Sequence, residues 1–230
     1  MFYFDPLYLV FSLPALLLAL IAQWRVQAAL NKYSRVLTGR AATGARVARA
    51  ILDGYGLQNV SVERAGGFLG DHYDPLSRTL RLSAEVFDTP SVAAVGIAAH
   101  ETGHALQHAE GYWPLQARTA IVPVVQFGSY LGPIVFILGY LLRLTPLAWA
   151  GVFLFAGVAL FALVTLPVEL DASRRAKELL AGQGYVWGDE LAGVSRVLDA
   201  AALTYVAGLA QALFTLLYYV FLLTGFRRRD

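Results

Sequence analysis

The sequence predicts a mainly α, multi-span membrane protein, with four transmembrane helices around a small α+β insert. Three observations carry that prediction. The 230 residues are 57% hydrophobic and only 15% charged, with a mean hydropathy of +0.56, far more apolar than an ordinary soluble domain. Four long segments contain no Asp, Glu, Lys, Arg or His: Pro6 to Trp24, Thr119 to Leu142, Leu144 to Val168 and Ala200 to Phe226. Between the first two lies a stretch whose apolar periodicity changes from helical to alternating.

Each charge-free segment is long enough to cross a hydrocarbon core of about 30 Å, which takes roughly 20 helical residues. The first, within an anchor of residues 1–24, has Asp5 and no basic residue ahead of its apolar run, so it reads as a retained span rather than a secretory signal. Residues 117–168 read as a transmembrane hairpin and residues 200–226 as the last span. Lys and Arg set the expected orientation. Ten lie between Arg25 and Arg118 and four more between spans three and four, against four on the other side, Arg143 and the tail Arg227, Arg228 and Arg229. The middle segment is therefore expected in the cytoplasm, although the basic tail opposes that sense.

Residues 25–116 form the expected α+β segment. Thr43 can cap a helix over residues 43–54 that stops at Gly56. Alternation over residues 59–63 and 78–83 gives two short strands on either side of the turn-rich GGFLGDHYDPLS. A second helix is expected from a Thr89 cap and Pro90 in its first turn to about Glu110, ended by Gly111.

That second helix carries HETGHALQH, which holds three of the four histidines of the chain. His100 and His104 stand one turn apart on one face, so both rings can reach a single cation, and Glu101 lies about 100° round the helix. This is the HExxH pattern. Zinc suits imidazole ligands in a tetrahedral shell with one position left for water, and a neighbouring carboxylate can take that water's proton. His100 and His104 are thus the expected zinc ligands, Glu101 the general base, and residues 25–116 a zincin-like catalytic insert. With no cysteine in the chain and His72 the only distant imidazole, carboxylates lead as the third ligand. Glu169, the first charge after span three, is returned to the same side of the membrane by two crossings. Asp171 competes for that role, though positions i and i+2 face apart on a helix. A bland alternative puts both acids in the first turn of a helix begun near Pro167, where carboxylates favour the dipole. His108, a turn beyond His104, cannot converge on the same ion along a straight helix and is expected outside the ligand set.

GDHYDP, residues 70–75, reads equally as a turn and as a functional loop in which His72 or Tyr73 would stabilise an oxyanion or hold substrate. Strand 78–83 beside the metal could pair with an extended peptide. Tyr205 fits an interfacial belt.

GGFLGDHYDPLSRTLRLS, AAHETGHALQHAEGY, LPVELDASRRA and GVSRVLDAAALTYVA, in that order, resemble the YugP-like bacterial membrane neutral zinc metallopeptidases over about residues 1–225. The resemblance implies a zinc peptidase with His100, His104 and Glu169 as ligands and Glu101 as base. In the similar HtpX group the ligand Glu precedes an Asp by four residues; here that position is Ser173, and the nearby acid is Asp171.

The expected protein is an inner-membrane, zinc-dependent endopeptidase with its site on the cytoplasmic side. Residues 169–199 supply the third ligand, and a peptide or membrane-protein substrate and the lipid bilayer are the partners. A formal charge of +2 argues against nucleic acid. Two rival readings are a non-catalytic zinc-binding adaptor and a site-2-type intramembrane protease. The latter would need an LDG ligand after HExxH, whereas the LDG of this chain, containing Asp53, precedes it.

Overall fold

A computed structural model describes residues 6–66 and 70–226. Helix α1 spans Pro6–Tyr33, α2 Gly44–Gly54, α3 Ala84–Asp88, α4 Val92–Ala109, α5 Trp113–Leu141, α6 Thr145–Gly182 and α7 Asp189–Phe226; the strands are β1 Ser61–Arg64, β2 His72–Asp74 and β3 Thr79–Leu82. The fold is thus mainly helical with one small sheet. Among the described residues α1, α6 and α7 are long and apolar enough to cross a membrane, and α5 makes a fourth span if its two arms, bent by 49°, count as one. The bend falls at Pro123, where a proline removes a helical hydrogen bond and crowds the preceding turn.

The chain divides into two compact units. One comprises residues 1–21, 116–167 and 204–230 and holds most of the apolar helix length. Leu13, Leu17 and Leu20 of α1, Phe153 and Leu163 of α6, and Leu217 and Phe221 of α7 are exposed, a surface suited to lipid rather than water. Inside this unit α5 and α6 approach closely. A Cβ built on Gly151 would lie 2.3 Å from the backbone nitrogen of Phe136, so the crossing needs a residue without a side chain.

The other unit comprises residues 22–115 and 168–203. Here β3 is the central strand, parallel to β1 and antiparallel to β2, with Val62 opposite Leu80 and Tyr73 opposite Leu80 on the other side. Leu52, Val60, Leu80, Leu82, Ala98 and Ala105 form one buried cluster. Val47, Ile51, Val95, Ala99, Leu106, Leu180 and Val194 form another. Helix α4 supplies residues to both, and its many Ala and Gly residues let neighbours close in on several faces.

Three expectations are corrected here. The helix bearing HETGH begins at Val92 with Ser91 as its cap, the Ser91 hydroxyl accepting from Ala94 N at 3.1 Å. Thr89 and Pro90 stay outside because Thr38 N donates to Pro90 O at 2.9 Å and Leu37 bridges Ser91, holding the segment extended. GDHYDP is not merely a turn, since His72–Asp74 forms β2. Finally β3, over residues 79–82, cannot take up a peptide by edge pairing because both of its sides are already paired. The α2 helix, by contrast, follows the sequence closely, with Thr43 accepting from Arg46 N at 3.4 Å.

A candidate metal centre

All the candidate site residues belong to the second unit. His100 and His104 project from α4, and Glu169 from α6, which runs without a break through Pro167. Glu169 therefore sits in mid-helix, not in a first turn. It is 2% exposed, and its Oε2 lies 3.2 Å from His100 Nε2 and 3.6 Å from His104 Nε2. The two rings stand edge to face, 87° apart with centroids separated by 4.8 Å.

His100, His104 and Glu169 form a group that could hold a metal ion, with their ligand atoms all within 4.8 Å of one another. The two separations from Glu169 fit zinc. Ligand atoms 2.0–2.1 Å from a common centre occupy corners of a tetrahedron about 3.3 Å apart, close to the two separations found. The donor set, two imidazole nitrogens and one carboxylate oxygen, leaves a fourth corner without a protein ligand among these three residues, as a catalytic rather than a structural zinc site requires.

What holds the rings in place is a set of bonds to their far nitrogens. His100 Nδ1 lies 3.1 Å from Ser173 Oγ, and His104 Nδ1 lies 3.0 Å from Gln107 Oε1. Gln107 in turn donates to Val168 O and to Asp171 Oδ2, both at 2.9 Å. Asp171 also accepts from Arg174 and Arg175. It is therefore linked to the site through Gln107 and does not belong to the metal group. Ser173, four positions after Glu169, meets His100 directly. Gln107 was the residue missed in the sequence, although it lies three positions after His104 and thus on the same helical face.

Burial raises the pKa of Glu101 above the ordinary carboxyl range, with His100 and His104 opposing and Glu169 and Asp71 adding to the rise. For His104 burial works against protonation, yet the hydrogen bond it donates to Glu169 and the nearby carboxylate charges outweigh it and raise the pKa.

The remaining candidates are placed elsewhere. His72 Nδ1 bonds Gly70 O at 2.8 Å, and the Tyr73 hydroxyl bonds His108 Nδ1 at 2.9 Å. None of the three belongs to the metal group. Asp53 pairs with Arg49 at 2.9 Å on the half-exposed face of α2, far in character from an intramembrane ligand.

The family profile described as "putative neutral zinc metallopeptidase" matches residues 8–224. The chain belongs to this zinc metallopeptidase family. It is 45% identical over 214 residues to a Bacillus subtilis (strain 168) protein named "Putative membrane protease YugP", covering 93% of this chain and 95% of that protein. No solved structure matches. Zinc is thus the metal of the family, the His100, His104 and Glu169 group is the candidate for binding it, and the apolar helices agree with a relative named as a membrane protease.

Proposed function

We propose that this zinc metallopeptidase is an endopeptidase of the inner membrane that hydrolyses peptide bonds of peptides or membrane proteins on the cytoplasmic side. The observation that carries the reading is the convergence of His100 Nε2, His104 Nε2 and Glu169 Oε2, reached from two helices and matched to zinc spacing.

His100, His104 and Glu169 hold the metal. When bound in such a setting zinc polarises a scissile carbonyl and acidifies water to a pKa of about 7. Glu101 takes a proton from the attacking water and returns it to the departing amine, so one water is consumed and two termini are released. The raised pKa of Glu101 suits the first of these transfers, because a more basic carboxylate takes the water's proton more readily. Of the sheet edges, β2 packs against α4. An extended substrate would add to β2 by backbone pairing, with His72 and Tyr73 contributing side chains along it.

The test is Glu101→Gln in the full chain reconstituted in lipid. It should retain stoichiometric zinc and lose cleavage of membrane-protein substrates, with uncleaved substrate accumulating in cells. Zinc retention with undiminished cleavage would remove Glu101 as base. Absence of any accumulated substrate would favour the adaptor reading, since an adaptor turns nothing over.

A further inference from the structure

We propose that Gln107 is a positioning residue that fixes the tautomer of His104, holding the ring proton on Nδ1 and leaving the Nε2 lone pair free for the metal. This rests on the reading of His100, His104 and Glu169 as ligands.

The neighbours of the Gln107 amide fix its orientation. An amide carries two N–H donors at one end and an acceptor oxygen at the other, and its surroundings decide which way it points. Its nitrogen faces the backbone oxygen of Val168 and the carboxylate of Asp171, both at 2.9 Å. Neither atom can donate: Val168 O is a carbonyl, and Asp171 is an anion held by Arg174 and Arg175. Reversing the amide would set oxygen against oxygen at both contacts, on a side chain that is 0% exposed and so cannot turn to water instead.

The oxygen must therefore face His104 Nδ1, 3.0 Å away, and an acceptor in that position needs an N–H on Nδ1. Neutral imidazole, the form that ligates a metal, has only one such proton. Nε2, the nitrogen aimed towards Glu169, is left as the electron-pair donor that a zinc ligand has to be. The order of dependence runs from Arg175, which also pairs with Glu110 at 2.7 Å, through Asp171 and Gln107 to His104. His100 has no equivalent. Its partner is the Ser173 hydroxyl, which rotates and can donate or accept, so it steadies the ring without choosing a tautomer.

The experiment measures zinc affinity of the full chain in detergent by chelator competition, with the thermal midpoint of the metal-free protein recorded alongside. Gln107→Met keeps the length and removes the acceptor; it should lose about 10- to 100-fold in affinity. Gln107→Glu keeps an oxygen at Nδ1 but sets a second carboxylate against Asp171. It should bind zinc close to wild-type strength while its metal-free midpoint falls at least as far as that of Gln107→Met. A purely structural Gln107 would make affinity follow the midpoint in both variants, and that pattern overturns the proposal, as does unchanged affinity in Gln107→Met. Should neither variant fold, Asp171→Ala decides, because it removes one of the two acceptors that orient the amide: several-fold weaker zinc binding supports the proposal and wild-type binding overturns it. His104→Ala and Glu169→Ala serve as separate controls. Zinc binding that survives both would sink the ligand reading itself, whereas its loss in them alongside unchanged Gln107→Met affinity would sink only the tautomer assignment.

Discussion

Gly103 and Ala172 meet where α4 crosses α6, so closely that a methyl group on Gly103 would lie 2.9 Å from the Ala172 carbonyl oxygen and 3.2 Å from its Cα. Both obstacles are backbone and cannot swing aside. Gly103 adjoins His104, and Ala172 lies one helical turn past Glu169, so the contact sets how near the carboxylate comes to the imidazoles. Gly103→Ala should gain about 1 kcal/mol in helix propensity and lose about 1–3 kcal/mol to overpacking. Its expected signature is weaker zinc binding with only a modest fall in the thermal midpoint, read by chelator competition and calorimetry. Zinc affinity equal to wild type would show that the crossing has slack.

Excess zinc should raise the thermal midpoint of the wild-type chain, because a ligand that binds only the folded state stabilises it by about 2.7 kcal/mol at a free concentration 100 times its dissociation constant. Glu169→Gln keeps the shape and removes the charge. That variant is expected to lose most of the zinc-dependent rise, and a full rise would exclude Glu169 as a ligand.

Ser173→Ala removes the hydroxyl 3.1 Å from His100 Nδ1. Since that hydroxyl imposes no tautomer, the loss in zinc affinity should stay below that of Gln107→Met, at the low end of the about 10- to 100-fold range for groups that orient ligands. A larger loss than in Gln107→Met would reverse the ranking of the two supports.

Tyr73→Phe breaks the 2.9 Å bond to His108 that ties β2 to α4. The expected cost is about 1 kcal/mol of stability, measured by denaturant unfolding in micelles, with zinc affinity unaltered. Should His72 and Tyr73 contact substrate as proposed, cleavage would also slow in this variant while metal content remained whole.

Asp74 gives a pH test outside the metal group. Its hydrogen bond from Ser77, aided by the backbone N–H groups of Leu76 and Ser77 and by Arg81 against the opposing effect of burial, lowers its pKa from 3.8 to about 2. A carboxyl depressed on folding stabilises the native state above its unfolded pKa and loses that contribution as pH falls through the folded value. The difference in stability between wild type and Asp74→Asn should therefore be full above pH 3.8 and vanish below about 2. The turn faces solvent, so the difference should not exceed about 1 kcal/mol. A difference that persisted unchanged below that range would assign the effect to shape and not to charge.

The apolar helices and the candidate metal group could be read from the sequence because each rests on a local or topological rule. Charge-free runs announce apolar helices, the four-residue spacing of His100 and His104 sets them on one face, and the expected pair of crossings returns Glu169 to them. The start of α4 was displaced because Thr38 and Leu37 capture Pro90 and Ser91 from a distance, and no local capping rule sees such a partner. Strand β2 was hidden for a similar reason: three residues rich in polar side chains become a strand only because β3 is there to pair with them. Gln107 lay in plain view on the right face, but its importance comes from Val168 and Asp171, more than sixty positions away.

The distance along the chain between the metal-binding groups carries a consequence for biosynthesis. His100 and Glu169 are 69 positions apart, and α5 and the apolar part of α6 are made in between. On the ligand set proposed, a nascent polypeptide already displaying HETGH still lacks the Glu169 carboxylate that completes its metal cage. On that reading hydrolytic power would arrive only once the later helix had emerged and settled, and the order of translation itself would keep an unfinished protease silent.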